Sequence, residues 1–165
     1  MVKGDEPMGR LFVEADGVLM ERADINRPRE LMHPDYYRLR LPEWNMIHAI
    51  RELIKKMPQH EVYIICHLPL SLEHAKADTA DWFSRYLPGA SGLRYLPIGE
   101  YFGSYIAVKK GDVLVSADVG NLAVFVLGGR SAIGVDVDAA AIPGLPCIRT
   151  WDFAEDIATR IMNSI

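Results

Sequence analysis

Short, continuous apolar runs alternate with amphipathic segments along this chain, and that alternation limits its fold more than any other feature. Leu11-Phe12-Val13, Val62-Tyr63-Ile64-Ile65-Cys66, Leu93-Arg94-Tyr95-Leu96-Pro97, Asp112-Val113-Leu114-Val115 and Ser131 to Val135 each read as a strand, and Cys147-Ile148-Arg149 reads as a shorter sixth. A short run that is apolar at nearly every position suits a strand covered on both faces. Between the runs, Trp44, Ile47, Ile50, Leu53, Ile54 and Met57 fall three and four residues apart, which predicts a helix closed by Pro58. Further helices are expected over Ser71 to Tyr86, with Ser71 as N-cap, and over Asn121 to Leu127, stopped by Gly128-Gly129. A weaker helix is expected over 102–108, and a last one from Asp152 with Phe153, Ile157 and Ile161 facing inward. Strands that alternate with helices pair in parallel through right-handed crossovers. The expected fold class is therefore α/β, a three-layer doubly wound parallel sheet.

The length of 165 residues suits one domain with one buried core. Residues 1–9 are polar and read as a flexible N-terminus, and 10–165 read as a single domain. Its one irregular excursion, about 20–43, is rich in Arg, Pro, His and Tyr and lacks helical or strand periodicity. A net charge of -4 argues against an extended nucleic-acid partner. No apolar leader or 18-residue apolar run is present, so neither a secretory signal nor a membrane span is expected. The two cysteines form no spaced framework, which points to a reducing, cytoplasmic setting. No GxGxxG or P-loop pattern occurs.

A doubly wound sheet places its site beyond the carboxyl ends of its strands. The residues to inspect are thus Glu14 to Val18, Cys66 to Leu68, Ile98 to Gly103 and Ser116 to Asn121. The stretch Leu11-Phe12-Val13-Glu14-Ala15-Asp16-Gly17-Val18-Leu19 resembles the first motif of the haloacid dehalogenase superfamily, an apolar strand followed by Asp-x-Asp-Gly-Val/Thr-Leu. Trp44 to Ile50, Glu61 to Ile65, Trp82 to Pro88, Asn121-Leu122 and Gly128-Gly129 are similar to the 5'(3')-deoxyribonucleotidase branch at matching positions. The resemblance spans roughly 10–135.

That resemblance implies a phosphatase chemistry. The first Asp of the motif attacks phosphorus, and the Asp two residues on acts as general acid and base. A Ser or Thr after the second strand and a Lys before the fourth hold the phosphate, and an acidic pair after the fourth strand helps to bind Mg²⁺. Carried over residue by residue, the nucleophile position is Glu14, the acid/base position is Asp16, and the Ser/Thr position is Cys66. The Lys position falls on Phe102, and the acidic pair on Ser116 and Ala117 with Asp118 just beyond. Gly17, His67 and Asn121 are the expected substrate-binding positions, and Glu14, Asp16 and Asp118 the expected ligands of a weakened Mg²⁺. The insert would act as a cap whose arginines, Arg22, Arg27, Arg29, Arg38 and Arg40, face either solvent or a phosphate.

The substitutions weigh against turnover. An added methylene moves the attacking oxygen by roughly 1 Å, and a shift of about 1 Å can cost on the order of 10²-fold. Loss of a preorganised positive group can cost on the order of 10²- to 10³-fold. The sequence therefore leaves two classes open. One is an impaired or inactive nucleotidase-like protein that keeps a small phosphorylated molecule or nucleotide as ligand. The other is a Mg²⁺-dependent phosphomonoester hydrolase with a rearranged site, in which Asp118 supplies the missing acid and Lys109 or Lys110 the missing cation. Cys66-His67 with His74 is poorly spaced for zinc and reads as a core thiol beside a surface imidazole. Asp136-Val137-Asp138 reads as a plain loop.

Overall fold

The apolar runs become six strands, β1 (Leu11–Glu14), β2 (Val62–Leu68), β3 (Gly92–Pro97), β4 (Val113–Ser116), β5 (Ser131–Val135) and β6 (Cys147–Ile148). They are joined by the helices α1 (Pro28–Leu31), α2 (Trp44–Lys56), α3 (Glu73–Tyr86), α4 (Val119–Leu127) and α5 (Ala154–Met162). The structure is a computed structural model that describes residues 8–24 and 26–165. The expectation of a flexible 1–9 segment falls largely outside those residues.

All six strands are parallel, in the order β3-β2-β1-β4-β5-β6. The expected α/β class is therefore correct, and the order is that of a Rossmann-like sheet, whose direction of winding reverses between β1 and β4. Alternate strand residues face opposite sides. Leu11, Val13, Ile64, Cys66, Val113 and Val115 meet α2, α3 and α5 in the larger core. Phe12, Ile65, Leu96, Leu114 and Ala132 meet Phe102, Leu122 and Phe125 on the face covered by α4. Asp112, fully buried below β4, takes hydrogen bonds from the Arg10 backbone and guanidinium and from Lys109 N, which pins the start of β1 to the start of β4.

The excursion after β1 is closed at its base. Met20 bridges Pro42 in antiparallel sense, Glu21 N donates to Leu41 O at 3.0 Å, and Glu43 N donates to Leu19 O at 2.9 Å. Its Arg40 carbonyl accepts from the buried Trp82 indole at 3.0 Å, tying the insert to α3.

Several local expectations need correction. β2 runs on through His67 and Leu68, and β4 includes Ser116, so these side chains project from the sheet and not from loops. α3 begins at Glu73, with Leu72 and not Ser71 at the cap. α4 begins two residues before Asn121, because Asp118 caps it by accepting from Asn121 N at 2.9 Å. The helix expected over 102–108 is only a 3-10 turn, Phe102–Ser104. Phe153 precedes α5 and is 80% exposed, leaving Ile157 and Ile161 to face the core. Trp44, at the open end of its stripe, is half exposed.

Candidate functional site

The reversal between β1 and β4 opens a cleft of about 810 Å³ at the carboxyl ends of the strands, roofed by the insert. Its size is typical of small-ligand sites. Glu14 ends β1, His67 projects from β2, Ser116 ends β4, and Asn121 lies in the first turn of α4. Glu14 pairs with Ile65 in register, two residues before His67, so both side chains lie on the α4 face.

Glu14 is 3% exposed, yet both of its oxygens are occupied from within the protein. Ser116 Oγ donates to Oε2, and Asn121 Nδ2 donates to Oε1 at 2.6 Å. His67 Nε2 lies 3.5 Å from the same Oε1, and its Nδ1 lies 3.4 Å from the Pro97 carbonyl. Two acceptors flank one imidazole, and only the doubly protonated ring donates to both. Burial alone would lower the His67 pKa, but the hydrogen bond and charge of Glu14, the Pro97 carbonyl and Asp16 together raise it above 6.5.

This pairing gives a pH expectation. A histidine whose folded pKa is raised contributes stability below its unfolded pKa and loses that contribution as pH rises through the folded value. The melting temperature should therefore fall as pH rises above about 6.5, and less steeply in His67→Gln. Parallel profiles for the two proteins would count against a charged His67.

Asp16 is held by Arg40, which is 5% exposed and forms an ion pair with it. The same guanidinium donates to the Glu21 carbonyl. Arg22 donates to the Ala117 carbonyl at 2.7 Å. Asp118 lines the cleft but spends one oxygen as the α4 cap, and its own N–H donates to Ser116 Oγ at 2.9 Å. Asn121 Oδ1 accepts from Phe102 N at 3.2 Å, so the asparagine bridges the strand end and the 3-10 turn.

The cleft thus brings together Glu14, Asp16, His67, Asp118 and Asn121 from among the sequence-predicted residues. Gly17 and Cys66 are not among its walls. Gly17 makes the turn after β1 at φ +71°, where an added Cβ would lie 3.2 Å from that of Ala117. Cys66 points to the opposite face, into the larger core, and burial pushes its thiol pKa well up, the reverse of what a thiolate nucleophile needs. Phe102, at the expected lysine position, is buried edge-on against Phe12 at 5.1 Å. Neither Lys109 nor Lys110 lines the cleft.

The expected Mg²⁺ ligands do not form a set. Glu14 turns to Ser116, Asn121 and His67, and Asp16 turns to Arg40. Among the described residues no cluster of three or more His, Cys, Asp or Glu is arranged to hold a metal ion. The donors present do not fit an octahedral cation that binds through free carboxylates.

Sequence reasoning missed Arg40 as the partner of Asp16 and Ser116 as the partner of Glu14. Of the other insert arginines, Arg27 and Arg38 form exposed ion pairs. The Asp136 carboxylate accepts from Thr150 N at 3.1 Å and Thr150 Oγ1 at 2.8 Å, consistent with a structural loop. The fold and cleft define the class as a Rossmann-like α/β protein with a roofed site at the reversal point. No family model, curated protein or solved structure matches the chain. No helix among the described residues is long and apolar enough to cross a membrane.

Proposed function

We propose that this chain is a nucleotidase-like protein of the haloacid dehalogenase type whose phosphatase chemistry has been dismantled, leaving a cleft that binds but does not hydrolyse. One observation carries the reading: the carboxylate in the nucleophile position has both oxygens engaged by neighbouring side chains. A carboxylate nucleophile must aim a free lone pair at the reacting atom, within about 3–3.5 Å and in line. Glu14 is a buried acceptor, and freeing it would strand the His67 imidazole and two hydrogen-bond donors.

Two further features agree. Phosphoryl transfer depends on positive charge around the transferred group. The expected lysine position holds a core phenylalanine, and the guanidinium nearest Asp16 is already spent on that carboxylate. The alternative, a rearranged Mg²⁺-dependent phosphomonoester hydrolase, needs free carboxylates beside Asp118, but Glu14 is engaged by Ser116, Asn121 and His67, and Asp16 by Arg40.

The test is phosphate release from a panel of nucleoside monophosphates and p-nitrophenyl phosphate, with and without Mg²⁺. The expected result is no turnover above background, identical in the wild type and Asp16→Asn. Turnover that requires Mg²⁺ and disappears in Asp16→Asn or Glu14→Gln would overturn the reading.

A further inference from the structure

α4 differs from the other long helices of the surface. α2, α3 and α5 each carry acidic and basic residues, but no Asp, Glu, Lys or Arg occurs from Val119 to Gly129. The one polar side chain of α4, Asn121, turns inward to Glu14. Leu122 and Phe125 fill the core, while Val119, Val124 and Leu127 stand 41%, 48% and 87% exposed. A helix that is apolar on every side is normally covered on every side.

The apolar surface continues past the helix. Tyr101 and Tyr105, both half-exposed, flank the 3-10 turn. The Tyr101 ring lies against the Gly120 backbone, where an added Cβ would approach it to 3.2 Å, and a Cβ added at Gly103 would lie 4.0 Å from Val124 Cγ1. A groove of about 230 Å³ runs between the turn and α4, lined by Phe102 and Phe125. Charge appears only at the two ends of this face, with opposite signs. Glu100 and Asp118 stand at the N-terminal end of α4. Arg130 stands at its C-terminal end, where its guanidinium donates to the Val108 carbonyl at 3.4 Å, next to Lys109. None of these four residues forms an ion pair among the described residues.

We propose that this face binds a second copy of the chain, with α4 packed antiparallel against α4 about a two-fold axis near Ala123. A two-fold contact brings one patch against itself, so a charge on the axis would meet its own copy. The middle of α4 carries none. The antiparallel sense sets the acidic end of one copy against the basic end of the other, and the two helix dipoles run in opposite directions. A parallel pair would set Glu100 and Asp118 against themselves. Leu127 of each copy then meets the Gly120 end of the other, where the helix has no side chain in the way. The exposed apolar residues and the two tyrosines present roughly 500 Å², a patch of the size that is often functional on a monomer. Two copies would bury on the order of 1,000 Å², the lower bound of a specific interface. The inference does not rest on the non-hydrolytic reading.

Sedimentation velocity of the full chain from about 1 to about 300 µM tests it, with a reversible monomer–dimer equilibrium expected and a Kd on the order of 10 µM. Leu127→Glu should weaken the dimer on the order of a hundredfold, because it adds a carboxylate against the partner's acidic end. The melting temperature of that variant at about 1 µM, where both proteins are monomeric, should match the wild type, since the side chain is exposed. Glu100→Lys should weaken association about tenfold, and adding Arg130→Glu to it should restore most of the loss.

A chain that stays monomeric to about 300 µM overturns the proposal and leaves the face to a different partner. A dimer that Leu127→Glu leaves intact overturns it as well. Tighter association of Glu100→Lys would overturn the antiparallel arrangement.

Discussion

Phe102→Lys is expected to unfold the protein or leave it barely stable, although it restores the residue that the nucleotidase resemblance calls for. Phe102 lies edge-on to Phe12 at 5.1 Å and tilted against Phe125 at 5.5 Å, inside the core beneath α4. Removing such a ring costs about 3–5 kcal/mol. An ammonium left in the same place has no partner, because Glu14 is already committed to His67, Ser116 and Asn121. An unpaired buried ion adds several kcal/mol more, or forces the lysine to deprotonate. The total, about 5 kcal/mol or more, is comparable with the whole stability of a domain this size. Urea denaturation with Phe102→Leu as control should separate burial from charge, the control losing about 1–2 kcal/mol. A Phe102→Lys protein that melts near the wild type and gains phosphatase activity would show that the position still opens to the cleft.

The sheet was legible because its strands are buried on both faces and so appear as unbroken apolar runs. The runs failed where a strand ends at the site. His67 interrupts the pattern of β2 although its backbone stays paired with β3, His67 opposite Leu96 and Leu68 opposite Pro97. Ser116 similarly hides the last residue of β4, opposite Gly134. Polar residues at strand ends are where function overrides periodicity. Phe153 misled for another reason. The helical spacing to Ile157 is correct, but the residue sits one step outside α5, in extended backbone at ψ 139°, so its side chain leaves the helix face.

The site was legible in its positions and not in its pairings. Glu14, Asp16, His67 and Asn121 were found because a parallel sheet brings strand ends together. Which of them touch depends on side-chain lengths and on the insert, and neither leaves a periodic signal. Arg40 lies between Leu39 and Leu41, and the burial there is inverted, with the arginine inside and both leucines exposed. Its ion pair with Asp16 spans the whole excursion and is set by the Met20–Pro42 closure. The one signal available was compensation. Set against the motif that the sequence resembles, Glu14 is a longer acid and Ser116 a shorter hydroxyl, and the hydrogen bond between them joins the two departures as a pair.

Glu14→Ala is expected to destabilise the protein by about 3–5 kcal/mol, the usual cost of removing one partner of a buried ion pair. The direction matters more than the size. Catalytic carboxylates are often kept at some cost to stability, so that removing one tends to stabilise the fold. A carboxylate that organises its neighbours behaves in the opposite way. Removal of Glu14 leaves His67 without its counter-charge, Ser116 Oγ without an acceptor, and the Asn121 amide without its 2.6 Å partner, all near the reversal point of the sheet. Each buried donor left unpaired carries a penalty of roughly 1–3 kcal/mol. Glu14→Gln should lose less, because the amide oxygen still accepts from one donor, but it should abolish the extra pH dependence attributed to His67. Thermal and urea unfolding of the wild type, Glu14→Gln and Glu14→Ala at neutral pH should fall in that order of stability. An alanine variant as stable as the wild type, or more so, would return Glu14 to the role of a strained active-site acid, and the non-hydrolytic reading would lose its main support.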